Sequence, residues 1–309
     1  MGVAAPPGAV PAPPVEPVLD ENDPRTALQR KVHRALHALP SYFSLDSQVS
    51  GIDATDLFHL GTMLSAGIEV EVVRTLNRLR DLWDPDGQWL SSRFERSREA
   101  FPSVRLVRRD TGTPSIALGI ELQSWFVLAK EGVPHVRYRV TPAACAPHDL
   151  VCIIPWHLSD TVAGTAQVVE PWVANARYAA QWRDHWWQSV RQTQDAPGIY
   201  HPPDASPYPV RAGLVDAVPH DEGGHDFGSL AHCTPLMDDF LDRVSRHELL
   251  GIAVRDWYLF LRVHSDIANA ADVAGALQAQ LYERLGPLNS ATAHKVLALL
   301  DDLSALLRP

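Results

Sequence analysis

The run Leu150-Val151-Cys152-Ile153-Ile154 is apolar on both alternate faces and rich in β-branched residues, which is how a strand covered on both sides reads. A covered strand needs helices on both sides, so this short run already points to a layered α/β domain. Pro155-Trp156 is expected to stop it. The segments before it read as shorter strands joined by tight turns: Val104 to Arg108, a turn at Asp110-Thr111-Gly112, Ser115 to Leu128, a turn near Gly132, and Val136 to Val140. They form an antiparallel meander leading into the covered strand.

Helices are expected around this sheet. Asp23-Pro24 is an N-cap and first-turn pair opening a helix to about Leu39, where Pro40 ends it. A second helical region runs from Asp53 to Trp83, with an interruption near Ala66-Gly67, and closes at Asp84-Pro85-Asp86-Gly87. After the covered strand, helices are expected at about Ser159 to Gly164, from Pro171 to about Gln192, and then over Pro235 to Val244, Leu249 to Val263, Ala270 to Leu285 and Asn289 to Leu307. Residues 195 to 235 hold no convincing regular element. The fold class is therefore α/β, a mixed central sheet flanked by helices, with helical extensions at both ends. The domain reading is 1–22 as a disordered Pro/Ala-rich tail, 23–265 as the α/β domain and 266–309 as a C-terminal helical extension.

Composition narrows the function classes. A chain of 309 residues with 46% apolar content can build a core, and a formal charge of −10 argues against coating nucleic acid non-specifically while leaving a local basic cleft open. Cys145, Cys152 and Cys233 form no CxxC pair, and no secretory segment or apolar run of about 18 residues is present, so a reduced, cytoplasmic setting away from membranes is expected.

The chemistry centres on the strand before the covered one. Ile116, Leu118, Ile120 and Leu122 share one face, which puts Ala117, Gly119, Glu121 and Gln123 on the other. A carboxylate and an amide two residues apart, preceded by two small residues, leave room for an ion and a bulky ligand. Glu69 is bracketed by apolar residues and is expected near the buried stripe of its helix, with Glu71 facing solvent. Six arginines (93, 96, 98, 105, 108 and 109) stand against three acids up to Asp110, the most basic stretch of an acidic chain. Such a stretch attracts phosphates, and Arg177 and Arg183 lie on a later helix whose tryptophans read as packing. The His220-Asp221-Glu222-Gly223-Gly224-His225-Asp226 cluster lacks the spacing of a helical zinc pair.

The segments Gly119-Ile120-Glu121-Leu122-Gln123-Ser124-Trp125, Asp149 through Trp156, and Ala176-Arg177-Tyr178 through Trp187, in that order, resemble bacterial restriction-endonuclease-like proteins of the PD-(D/E)XK class. Tyr208-Pro209 and Gly223 to Gly228 are similar too, so the resemblance spans about residues 55 to 265. It implies a restriction-endonuclease-like α/β/α fold and a magnesium-dependent type II DNA endonuclease. Glu121 falls on the metal-binding glutamate of Glu-x-Lys, Gln123 falls on its lysine, and Pro102-Ser103 falls on the Pro-Asp position with serine for the acid. Serine is a poor magnesium ligand, so Asp110 is the substitute expected to reach the ion across one tight turn. Glu69 would hold a second ion or help to place the first. Arg105, Arg108, Arg109, Arg177 and Arg183 would neutralise phosphates of double-stranded DNA, with a homodimer left open. Two other readings keep their place: a catalytically impaired DNA-binding module on the same fold, and a protein-only interaction scaffold.

Overall fold

The strand expected to be covered is the hub of a mixed sheet. A computed structural model describes residues 11–50, 59–97, 101–110, 112–135, 137–191, 198–223 and 226–266. The expected helix start at Asp53, Arg98, Gly224, His225 and the two helices expected beyond Ala270 lie outside these residues. In the described part, helices α1 (Pro24–His37), α2 (Leu39–Tyr42), α3 (Leu60–Arg78) and α4 (Arg80–Trp83) lead into the sheet around the short strand β1 (Gln48–Val49). Strands β2 (Ser92–Arg96), β3 (Val104–Arg108), β4 (Ser115–Phe126), β5 (Leu150–Leu158), β6 (Gly164–Val168) and β7 (Trp172–Asn175) follow. Helix α5 (Ala176–His185), the two-residue pairs β8 (Ile199–Tyr200) with β9 (Val218–Pro219) and β10 (Glu248–Leu249) with β11 (Ile252–Ala253), and helices α6 (Asp238–Arg246) and α7 (Val254–Asp266) complete it.

The sheet runs in the order β1-β6-β5-β4-β3-β2, with β7 also on β5. Strands β2, β3 and β4 are an antiparallel meander, and β4 pairs β5 in parallel from Ile120–Leu150 to Phe126–Trp156. The crossover between β4 and β5, residues 127–149, carries among its described residues only a single 3-10 turn at Pro142–Ala144. Helices α1 and α3 pack against β4, and α5 packs against β5 and β7. The core they enclose includes Leu36, Val72, Leu76, Leu118, Ile120, Cys152 and Ile154, all within 1% of full burial.

Where the structure departs from the expected elements, the reason is local. Strand β5 does not stop at Pro155. It pairs β7 through Leu150–Ile153 and β6 through Trp156–Leu158, and the Pro155 carbonyl accepts from the Val169 N–H at 2.8 Å between those two partners. The missing proline donor thus faces the gap where one neighbour gives way to the next. The helix expected at Ser159–Gly164 is a turn with Thr161 at φ 66° and Gly164 at φ 93°, and β6 follows it. Trp172–Asn175 is a strand on β5, so α5 begins only at Ala176, where the Asn175 side chain accepts from the Tyr178 N–H at 3.0 Å as an N-cap. The helix expected from Leu249 is replaced at its start by the β10–β11 hairpin, because Leu250 and Gly251 at φ 53° and 80° make a two-residue turn. In place of a strand at Val136–Val140, Arg137 and Val140 make single bridges to Ser229 and Asp216. Ser92–Arg96, the first part of the arginine-rich stretch, is a strand.

Helix α3 passes through Ala66-Gly67 and breaks instead at Leu79. A glycine costs a helix only about 1 kcal/mol, less than the packing of Leu64, Ile68, Val72 and Leu76 returns. On the same helix Glu71 is 7% exposed and does not face open water. Arg78 at 2.9 Å and Arg74 at 3.4 Å lie over its carboxylate and shield it. Residues 11–20 make no regular element, and Pro14, Pro17 and Leu19 are half-buried. Among the described residues no helix is long and apolar enough to cross a membrane.

Candidate active site

Strands β3 and β4 separate at Ser103. They are paired from Arg108–Ser115 to Val104–Ile120, after which β4 continues to Phe126 while the chain before β3 turns away. A parting of this kind leaves backbone donors on β4 without a strand to receive them. Side chains receive them instead. The Ser103 hydroxyl accepts from the Leu122 N–H at 2.9 Å, and the Glu69 carboxylate of α3 accepts from the Ser124 N–H. The Ser103 N–H donates to Glu121 Oε2 at 2.9 Å, and the Gln123 side chain hydrogen-bonds the same carboxylate. Ser103, Glu121, Gln123 and Glu69 therefore meet in one notch.

The notch is acidic and partly dry. Burial pushes the Glu121 carboxyl up to about 6, against the pull of the Ser103 N–H, and the neighbouring Glu69 charge adds to the rise. Burial also raises Glu69, opposed by Arg96, whose guanidinium lies 3.0 Å away. Arg105 stands opposite Gly119 in the register, on the face that carries Glu121 and Gln123, and donates to the Phe101 carbonyl at 3.3 Å.

Other residues selected from the sequence are elsewhere. Asp110 lies beyond the far end of the β3–β4 pairing; Arg108 pairs with Ser115, six residues from Glu121, which is about 20 Å along a strand. The hairpin thus carries Asp110 away from Glu121, and Arg108 holds it at 2.7 Å, keeping its carboxyl below the usual range. Arg109 is paired with Glu95 at 2.7 Å near the same end. Arg183 is 1% exposed and donates to the Tyr138 and Val140 carbonyls at 2.7 and 2.9 Å, so it is a core fastener and not a phosphate contact. Arg177 is half-buried and both its Nε and Nη2 donate to the Cys145 carbonyl. Both arginines were expected to face DNA, but a charge on an amphipathic helix does not tell which way it points when backbone carbonyls lie within reach.

Gly119 does not leave an open space for a ligand. A side chain there would meet Pro102 Cγ at 2.6 Å and Asp149 Oδ1 at 2.8 Å, so the position is small to admit the proline ring and a buried carboxylate. Asp149, to which the sequence reading gave no role, anchors the floor of the notch. Its Oδ1 accepts from the Gly119 N–H and the Tyr208 hydroxyl, each at 2.7 Å, and its Oδ2 from the Ala146 N–H at 2.7 Å. The available signal was an acid standing immediately before the covered strand.

Among the described residues no group of three or more His, Cys, Asp and Glu side chains forms a ready metal site. The donors in the notch are the Glu69 and Glu121 carboxylates, and the Glu69 charge raises the cost of ionising Glu121, which a hard dication would relieve. Glu69 and Glu121 are the residues here that could hold a cation, with Ser103 a neutral neighbour. Comparison with family models, with curated proteins and with solved structures finds no match for this chain.

Proposed function

We propose that the chain is a nuclease-type protein of the restriction-endonuclease-like fold that hydrolyses DNA phosphodiesters at the notch between β3 and β4. One observation carries the reading: Glu121, Gln123 and Glu69, from two different elements, converge on one half-buried point at a sheet fork. Glu121 and Glu69 would hold a magnesium ion. When bound, that ion supplies a water of lowered pKa and screens the charge of the scissile phosphate. Gln123 presents its amide N–H to Glu121, which leaves its carbonyl oxygen to accept a hydrogen bond from the attacking water and so orient it. Arg105 on the same face offers positive charge to the phosphate, and the reading takes it, with Arg93 and Arg96, as the cationic rim.

The experiment is plasmid cleavage with magnesium or manganese, EDTA as control, and Glu121→Ala as the test of the site. Cleavage that this variant and EDTA both abolish supports the reading; metal-dependent cleavage untouched by Glu121→Ala sinks it.

A second reading, a catalytically impaired DNA-binding module, is favoured by Ser103. Where the resemblance expects an acid, this serine spends its hydroxyl on the Leu122 N–H and turns its own N–H to Glu121, so it adds no charged oxygen. DNA binding without cleavage, in magnesium and in manganese alike, decides for it. On either reading the partner is double-stranded DNA and the setting cytoplasmic.

A further inference from the structure

Residues 11–17, Pro-Ala-Pro-Pro-Val-Glu-Pro, hold four prolines in seven positions and make no regular element. Prolines at this density hold a chain extended and lower the entropy it loses on docking. The segment is nevertheless seated. Pro11, Pro14 and Val15 line one cleft with Gln181, Asp184 and His185 of α5, and Glu16 lines a second, of about 260 Å³, with Trp172, Tyr178 and Trp182. Leu19 then lines a third cleft with Asn175, the residue that caps α5. The tail therefore runs antiparallel to α5 along its whole length.

The surface beneath it has a built pattern. Tyr178, Trp182 and His185 follow one another along one side of α5 at helical spacing, with ring centres 6.0 and 5.8 Å apart. Trp172 from β7 stands beside them. The indole N–H of Trp182 is buried and has no hydrogen-bond partner with the tail in place, so the resident segment leaves open a donor that the backbone carbonyl of a competing extended chain would satisfy. A row of rings with an indole donor is the kind of surface that takes proline-rich chains, whose rings stack on the aromatics and whose carbonyls stay exposed.

We propose that the face formed by Trp172 of β7 with Tyr178 and Trp182 of α5 is a docking groove for extended proline-rich peptide, occupied in cis by residues 11–17 of this chain. A proline-rich segment of another protein then binds by displacing the tail, and the tail sets the threshold. A short tether to α1 gives the resident segment an effective concentration of about millimolar, so only a competitor with more proline or more contacts wins at lower levels.

The test uses the full chain. All three cysteines, Cys145, Cys152 and Cys233, are buried, so Glu16→Cys on the exposed tail, beside Trp172 and Trp182, accepts a bimane label selectively. A tryptophan in contact quenches bimane. The label is expected to be quenched at rest, to brighten in Trp182→Phe, and to brighten in Pro14→Glu with Pro17→Glu, two tail changes that leave the α/β core untouched. A synthetic peptide of residues 6–17 at millimolar concentration is expected to relieve the quenching saturably, and the same peptide with alanine at every proline is not. A label bright from the start overturns the seating of the tail. Equal relief by the alanine peptide overturns the proline specificity, and no relief by either overturns the displaceable groove. Quenching that falls on dilution or on mixing with unlabelled chain overturns occupancy in cis in favour of tail exchange between two copies.

Discussion

The Ser103 N–H donates to Glu121 Oε2 at 2.9 Å across the point where β3 leaves β4, so a backbone donor, with the Gln123 side chain, fixes the carboxylate. Its desolvation is only partly compensated, which has a measurable cost. A carboxyl whose folded value is about 6 against 4.5 binds its proton more tightly when folded. Its contribution is fully favourable below pH 4.5 and is lost as pH rises through about 6. With screening, the loss is about 1–2 kcal/mol. Glu121→Gln is therefore expected to be more stable than the natural chain by about that amount at pH 7.5 and equal to it at pH 4.5, as read by urea unfolding at both pH values. Magnesium is expected to raise the unfolding midpoint of the natural chain at pH 7.5 and not that of the variant.

Gln123→Lys separates the two readings of the site. An ammonium adds positive charge beside the developing phosphorane, so if only the lysine is wanting, this change alone raises magnesium-dependent cleavage. If Ser103 is the deeper lesion, Gln123→Lys does nothing and only the double change with Ser103→Asp cleaves. Supercoiled plasmid, assayed with the four proteins of this two-by-two set, distinguishes the outcomes.

Gly119→Ala is expected to destabilise by about 1–3 kcal/mol, because the new methyl must displace the Pro102 ring or the Asp149 carboxylate. Thermal unfolding checks this. Ala117→Gly, a neighbouring change on the same strand face, meets no such obstruction and serves as the comparison.

Arg183 and Arg105 are expected to fail in opposite ways. Arg183→Met strands the Tyr138 and Val140 carbonyls and the Asp184 carboxylate, a loss of about 3–5 kcal/mol of stability, with no change in DNA affinity where the variant is folded. Arg105→Met is expected to weaken DNA binding uniformly across sequences and to reduce the slope of log affinity against log salt by about 1. Fluorescence anisotropy over a salt series reads both.

Much of the sheet was legible because its signals are local. The continuous apolar run gave β5, strict alternation gave β4, and Asp23-Pro24 gave the start of α1, where the Asp23 side chain accepts from the Arg25 N–H. Strands β6 and β7 were not legible, since short segments become strands only when β5 offers an edge, and their own residues satisfy a helix equally well. In the site, Glu121 and Gln123 share a strand face by parity alone, and Glu69 was placed near the buried stripe by its apolar neighbours. Asp110 was misplaced because sequence distance across a turn does not tell which end of a hairpin faces the ligand. Glu71 was misread because shielding by Arg74 and Arg78, three and seven residues on, is a tertiary choice of side-chain direction.

The crossover from β4 to β5 has a consequence for the order in which the molecule assembles. A parallel pair closed by a long connection pays loop entropy before any contact rewards it, and among its described residues this connection has no helix of its own to form early. Its fixed points come from later sequence: Arg183 donates to the Tyr138 and Val140 carbonyls, Tyr138 donates to the Ala176 carbonyl, and the Tyr208 hydroxyl reaches Asp149. The segment that walls the notch therefore condenses only after α5 is docked and residues past 200 have arrived. Substitutions in it will speed unfolding while leaving the folding rate nearly unchanged, and a chain still emerging from synthesis will hold the Glu121 strand before it holds the site.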